Sequence, residues 1–352
     1  MGEKRKIAGT LSSYSVLLGL LFAAISLVGI LSTDRILTVL RTPENIFASA
    51  KDYLEILLAG IPFLAVYNTY SAVLRGIGNS RAPFLAVLVS SAANVILDIA
   101  FVAGLGYGAA GAAAATVIAQ AAMTVFVIIY TGRNYPFLRF SFFAELRNLR
   151  PSGLGARFGL PPAIQSGASS CGNVFLQQFM NGFGEQTVAA ITTAYRVDTV
   201  IFLPIINFGS GIGTLVAQNI GSGDKKQAQR VFKAGLFIMA GISLGLTLLV
   251  FLLGGRLIAM FGLTAGSVRI GENFFRSIAG FYFIYGLSMA VRGYLEGCGD
   301  MVFSGAAGIL SLLVWILCSY AFKPAFGNMV VAYAEAFSWI FLQGPIPIKD
   351  KR

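Results

Sequence analysis

The sequence predicts an all-α polytopic membrane protein, a two-lobed helix bundle built from parallel six-helix repeats, with ten helices present of an expected twelve. Three observations predict it. Of 352 residues, 56% are hydrophobic and 12% are charged, where a soluble domain carries about 25% charge. Apolar runs long enough to cross a bilayer recur to the end of the chain. A fixed internal offset of 221 residues superposes front on back without a gap: Leu74-Arg75-Gly76-Ile77-Gly78-Asn79 falls on Leu295-Glu296-Gly297-Cys298-Gly299-Asp300.

The apolar runs give helices over roughly 13–32, 50–74, 82–103, 109–132, 157–180, 187–217, 234–254, 271–294, 302–322 and 329–343. The first follows the basic start MGEKRK and has no Ala-x-Ala site, so it reads as a spanning helix and not a signal peptide. The second ends at Arg75-Gly76, and the third carries Asn94 and Asp98. A tight outer hairpin at Leu105-Gly106-Tyr107 leads to the fourth, an Ala-rich helix with Thr116. Pro161-Pro162 and Pro204 mark bends in the fifth and sixth, which hold the amides Gln165, Asn173, Gln177, Asn207 and Gln218, more than lipid contact tolerates. Runs such as Val16–Leu31, Ala82–Leu97 and Leu236–Leu253 lack the polar face at 3.6-residue spacing that a soluble helix needs.

The offset pairs helices one to four with seven to ten, so the period is six helices, an even number that runs equivalent helices in the same direction across the membrane. It also pairs Gly2 with Gly223, Arg35 with Arg256, Ser90 with Ser311 and Gly106 with Gly327. Residue 1 falls on Ser222, inside the second repeat, and the expectation is a design of twelve helices of which the first two are missing here. The lobes are expected at 1–133 (four helices) and 153–352 (six). They are joined by a basic cytoplasmic linker, 134–152, holding Pro136, Arg139, Arg147, Arg150 and Pro151, with Phe137–Phe143 lying along the inner interface or beneath the bundle.

The net charge of +11 marks orientation and gives no sign of nucleic acid. With alternate loops assigned inside from the N-terminus, most of the 26 Lys and Arg residues fall inside, placing both termini in the cytoplasm of a plasma (bacterial inner) membrane. Histidine is absent, which removes imidazole ligands and His-based triads. Cys171, Cys298 and Cys318 have no metal-like spacing, and no phosphate loop or hydrolase motif is present. The expectation is a protein that is not an enzyme and has no cofactor. Internally repeated bundles of this kind are a common build of secondary transporters, with the substrate site between repeats.

Several strings together resemble the multidrug and toxic compound extrusion (MATE) family: Leu74-Arg75-Gly76-Ile77-Gly78-Asn79, Asn94-Val95-Ile96-Leu97-Asp98, Gly108–Thr116, Gly159-Leu160-Pro161-Pro162-Ala163 and Gln218-Asn219-Ile220-Gly221-Ser222-Gly223. The resemblance covers nearly the whole chain. It implies two six-helix lobes around a cavity alternately open to each side, and export of small amphipathic, often cationic compounds against entry of Na+ or H+. The implied partners are that substrate and the lipid bilayer, with no oligomer required. Family members also carry an acidic residue in a first helix that has no counterpart in this sequence.

A carboxylate inside a spanning helix costs at least a few kcal/mol and faces a cavity or a partner. Asp98 is such a group, Asn94 lies one turn before it on the same face, and Thr116 lies about as far beyond the hairpin as Asp98 lies before it. At 1.5 Å per residue all three sit roughly 12–15 Å below the outer surface. A carboxylate, an amide oxygen and a hydroxyl at one depth suit a small hard cation or a proton. The resemblance assigns these residues, with Asn68, to cation or proton coupling; structural helix-to-helix bonding is the alternative for Asp98. At the offset the trio becomes Trp315, Ser319 and Phe337, so it belongs to one lobe. Candidates for the substrate cavity are Gln165, Asn173, Arg196, Asp198, Asn207 and Glu335. Arg196 and Asp198, two apart, point to different faces. Gly76/Gly78 and Gly297/Gly299 read as helix C-caps. The rival functions are a lipid-linked oligosaccharide flippase of similar architecture, which needs several Arg or Lys in its cavity, and an inactive fragment or membrane subunit that needs a partner.

Overall fold

The computed structural model describes residues 2–39, 42–138 and 153–342, which divide into two compact units, Met1–Gly153 and Leu154–Arg352. Most of the predicted linker, including Arg139, Arg147, Arg150 and Pro151, lies outside the described residues, as do Lys349, Lys351 and Arg352 at the C-terminus. In the first unit the helices are α1 (Gly2–Leu31), the short α2 (Thr33–Val39), α3 (Glu44–Gly76), α4 (Arg81–Asp98) and α5 (Gly108–Asn134). In the second they are α6 (Gly153–Asn181), α7 (Glu185–Gly221), α8 (Lys225–Ala259), α9 (Ala265–Ile278), α10 (Tyr282–Gly297), α11 (Met301–Ala321), α12 (Lys323–Phe326) and α13 (Val330–Leu342).

The 221-residue repeat is visible in the backbone. The continuous span Glu44–Gly76 has its counterpart in Ala265–Gly297, shifted by 221 at both ends. The turns that follow are the same turn: Gly78 has φ +90° and Gly299 φ +86°, and the Asn79 and Asp300 amides donate back to Leu74 and Leu295 carbonyls at 2.8 and 2.9 Å. These left-handed positions are where glycine is needed. Asn79 Oδ1 and Asp300 Oδ1 then accept from the Ala82 and Phe303 amides, opening α4 and α11 alike. Gly106 and Gly327, at φ +71° and +56°, repeat the pattern at the next turn.

Nine helices among the described residues are long and apolar enough to cross a membrane. The tenth predicted span, α6, is long enough at 29 residues, and its amides and serines between Gln165 and Asn181 keep it less apolar. Large apolar side chains lie on the outside, with Phe237 86%, Ile96 66% and Leu252 65% exposed, while many buried positions are small. This inverts a water-soluble fold and matches a hydrocarbon surround.

Within the first unit α3 packs against both α1 and α5, and α4 packs on α5, around Tyr67, Tyr70, Leu74, Met123 and Val127. Hydroxyls join the helices: Ser26 Oγ donates to the Leu58 carbonyl at 2.7 Å, Ser90 Oγ to Ala119 at 2.8 Å and Thr124 Oγ1 to Phe63 at 2.9 Å. Within the second unit α7 is the centre, flanked by α8, α9 and α10, while α13 packs on α10 and α11. The α7–α10 crossing is made by two small-residue pairs, Gly209/Gly213 and Gly293/Gly297. A Cβ on Gly213 would stand 2.9 Å from the Gly293 carbonyl oxygen, and one on Gly297 2.6 Å from that of Gly213. Gly297 and Gly76 end their helices alike, each two residues before the left-handed Gly299 or Gly78 that closes the turn, and Gly297 in addition packs closely on α7 where Gly76 meets nothing.

Two local departures from the predicted helices matter below. The third predicted helix changes to π-helix over Ile99–Gly104 immediately after Asp98. The predicted helix 271–294 is broken at Ala279–Phe281 by a 3₁₀ turn, which starts α10 at the buried Tyr282.

Candidate functional site

Two polar sites emerge, one in each unit. In the first, Asn94 on α4 faces Thr116 on α5, with Asn94 Nδ2 3.5 Å from Thr116 Oγ1. That contact is at the long limit of a hydrogen bond. Thr116 Oγ1 itself donates to the Ala112 carbonyl at 3.0 Å. Asp98, one turn beyond Asn94, is half-buried, and its Oδ1 is buried without a hydrogen-bond partner. It stands at the junction where α4 gives way to the π-helical segment, and single-turn π segments recur at functional sites. The repeat-equivalent stretch, 320–325, contains no π-helix, so this feature, like the trio, belongs to one unit. Asn68 is exposed and lines a groove of about 480 Å³ between α1 and α3, together with Tyr14, Phe22, Leu64 and Thr69.

In the second unit, Asp198 on α7 is 2% exposed and accepts a short hydrogen bond at Oδ1 from the Tyr282 hydroxyl; its Oδ2 has no partner. Glu335 on α13 is 8% exposed, with Oε2 unpartnered. The Tyr195 hydroxyl lies against Glu335, with Asp198 also near. Gln165 and Asn173 on α6 line a cavity with Glu335, and Arg292 Nη2 donates to Gln165 Oε1 at 2.6 Å while its Nε donates to Glu296 Oε1 at 2.8 Å. Ser304 Oγ completes this network on Glu296 at 2.7 Å. Arg196 and Asn207 stand apart from it. Arg196 is exposed in a surface groove with Glu185 and Thr192, and Asn207 is exposed and bonds its own helix at the Leu203 carbonyl, 2.8 Å away.

Sequence reasoning missed Tyr282, Tyr195, Trp315, Trp339 and Arg292 as members of these sites. Tyr282 meets Asp198 across 84 residues, which leaves no periodic trace. One signal was present: the repeat places Trp315 where the first unit has Asn94, so a second site of different chemistry stands at the matching position.

The MatE family model matches residues 1–100 and 161–321. The chain belongs to the MatE family. The two matches end 221 residues apart, at the offset read from the sequence. The probable multidrug resistance protein YpnP of Bacillus subtilis is 27% identical over 339 residues, covering 95% of this chain and 75% of that protein. The multidrug export protein MepA of Staphylococcus aureus (strain bovine RF122 / ET3-1) is 23% identical, covering 92% and 71%. Among solved structures, an outward-facing MATE transporter of the MOP superfamily superposes with a TM-score of 0.85 at 20% identity, covering 97% of this chain and 79% of that one. A MOP superfamily transporter from Pyrococcus furiosus superposes at 0.86 and 20% identity, covering 96% and 77%. The fold is that of a multi-pass MATE transporter, and the family is one of transporters and not of enzymes.

Proposed function

We propose that this MatE-family chain is a secondary active exporter of amphipathic and cationic compounds, working by alternating access and driven by entry of Na+ or H+ at Asp98. The observation that carries the reading is the Asp98 Oδ1 atom, buried and unpartnered beside the Asn94–Thr116 pair at the α-to-π junction. A buried carboxylate oxygen without a donor is costly unless a proton or cation visits it. Oxygen donors from an acid, an amide and a hydroxyl are those a hard cation takes. The names of YpnP and MepA, which cover most of this chain, point to drug export.

The coupling is thermodynamic. A cation that binds Asp98 more tightly in one access state shifts the population toward it, and a substrate that prefers the other state is exchanged against it. Asn68, which lines the groove between α1 and α3, is a further candidate for the coupling site. A lipid-linked oligosaccharide flippase would hold a pyrophosphate on several deep cations. The surface position of Arg196, with Glu185 in the same groove, gives that reading no support.

The test is accumulation of ethidium in cells that express the chain. Wild type is expected to lower accumulation, and Asp98→Asn, present in the membrane at the same level, to lose that effect. Full activity of Asp98→Asn removes Asp98 from the mechanism.

A further inference from the structure

One face of α8 takes no part in the export reading and carries an ordered pattern of its own. Lys226, Arg230 and Lys233 follow one another at steps of four and three, and Phe237, Leu244 and Phe251 continue at steps of four and seven. At about 100° per residue, all six lie within about 60° of one another around the helix. All six are exposed. The stripe is thus basic where α8 begins and apolar beyond.

The three cations have nothing to neutralise them: among the described residues none of them has an ion pair. The adjacent acid, Asp224, is occupied as the cap of α8, its Oδ1 accepting from the Gln227 amide at 2.8 Å. The apolar run from Ala234 to Gly255 is about 33 Å long at 1.5 Å per residue, close to the hydrocarbon thickness of about 30 Å. It leaves Lys226, Arg230 and Lys233 stacked over about 10 Å in the head-group layer, with Phe237, Leu244 and Phe251 below them against acyl chains. Charge that only orients a span needs no such alignment with an apolar stripe. Nor does the shared fold impose it: the 221-residue offset puts Gly9, Ser12 and Val16 of α1 at Arg230, Lys233 and Phe237, and Ser12 and Val16 are buried.

We propose that this face of α8 binds an anionic phospholipid, its phosphate on Lys226, Arg230 and Lys233 and an acyl chain along Phe237, Leu244 and Phe251. Clusters of Lys and Arg beside a span attract acidic head groups, and the apolar stripe in register with them holds the tail of the same molecule. The site is independent of Asp98, so lipid binding by a chain that moves no ethidium would defeat only the transport reading.

Native mass spectrometry of the purified full chain, titrated with phosphatidylglycerol or with phosphatidylcholine of the same acyl chains, reads the Kd of the first bound lipid. Wild type is expected to bind phosphatidylglycerol at least tenfold more tightly than phosphatidylcholine. Lys226→Gln/Arg230→Gln/Lys233→Gln is expected to bring the two lipids within threefold. A charge-keeping variant, Lys226→Gln/Gln227→Lys/Gln229→Arg/Arg230→Gln, uses two exposed glutamines to move two cations about 100° off the stripe. It is expected to bind phosphatidylglycerol at least threefold more weakly than wild type, a loss that attraction to net charge alone would not produce. Equal affinity of wild type for the two lipids overturns the proposal. So does either variant binding phosphatidylglycerol as tightly as wild type.

Discussion

Gly293→Ala tests the helix crossing that holds the second unit together. A Cβ at Gly293 would collide with the Gly209 carbonyl oxygen and lie 3.0 Å from the Gly209 carbonyl carbon and 3.4 Å from Gly213 N. These neighbours are backbone and cannot rotate away. A relaxed carbon-to-oxygen contact is about 3.3–3.6 Å, so α7 and α10 must part by about 1 Å, and Gly209, Gly213 and Gly297 lose their close approach together. Overpacking of this kind costs about 1–3 kcal/mol, against a gain of about 1 kcal/mol from replacing a helical glycine with alanine. The net expectation is a destabilisation of about 0–2 kcal/mol, which is about 1–3 kcal/mol relative to a helical Gly→Ala change that keeps only the gain. Gly241→Ala, on exposed α8 surface with nothing within 4 Å of the new methyl, keeps only the gain and is expected to be neutral or up to about 1 kcal/mol more stable. Equilibrium unfolding in mixed micelles with rising dodecyl sulfate, followed by tryptophan emission, measures both. A Gly293→Ala protein as stable as Gly241→Ala would refute the close crossing.

Tyr282→Phe removes the one donor to Asp198 Oδ1 and leaves a buried carboxylate with neither oxygen bonded. It is expected to destabilise by about 1–3 kcal/mol in the same unfolding assay, and combining it with Asp198→Asn is expected to cost less than the sum. Arg292→Ala frees Gln165 and Glu296 at once, and its loss is expected to be largely recovered in Arg292→Ala/Glu296→Gln, which also removes the stranded charge. Lys51→Ala breaks the 2.8 Å pair with Asp34, whose side chain is 64% exposed; no measurable change in Tm is expected.

The repeat and its turns were legible because both rest on local rules. Gly78 and Gly299 sit where only a left-handed residue closes the helix, and that requirement is written in the residue type. The spans were legible because twenty apolar residues in a row have few other uses. Their ends were read short, as in α7, observed over Glu185–Gly221 against an expected 187–217, since charged and polar ends carry no apolar signal. The π-helix after Asp98 was invisible, because a hydrogen bond slipped by one residue does not alter composition. The break before Tyr282 was equally hidden, as Ala279–Phe281 is apolar like its flanks. Asn94, Asp98 and Thr116 were found together because one short hairpin relates them. The Asp198–Tyr282 bond and the Glu335 cavity draw on α6, α7, α10, α11 and α13, and contacts at such separations leave no period to count. The sequence does not distinguish Gly76 from Gly297, which end their helices alike; the close approach of Gly213 and Val216 on α7 gives Gly297 a packing role that Gly76 lacks.

The central claim, cation coupling at Asp98, is tested most directly in proteoliposomes holding the purified chain, with ethidium movement followed while a Na+ or H+ gradient is imposed and then reversed. The account predicts that wild type moves ethidium against the inward flow of one of these ions and reverses with the gradient, while folded Asp98→Asn moves it under neither. Gradient-driven movement by Asp98→Asn at the wild-type rate would contradict the account.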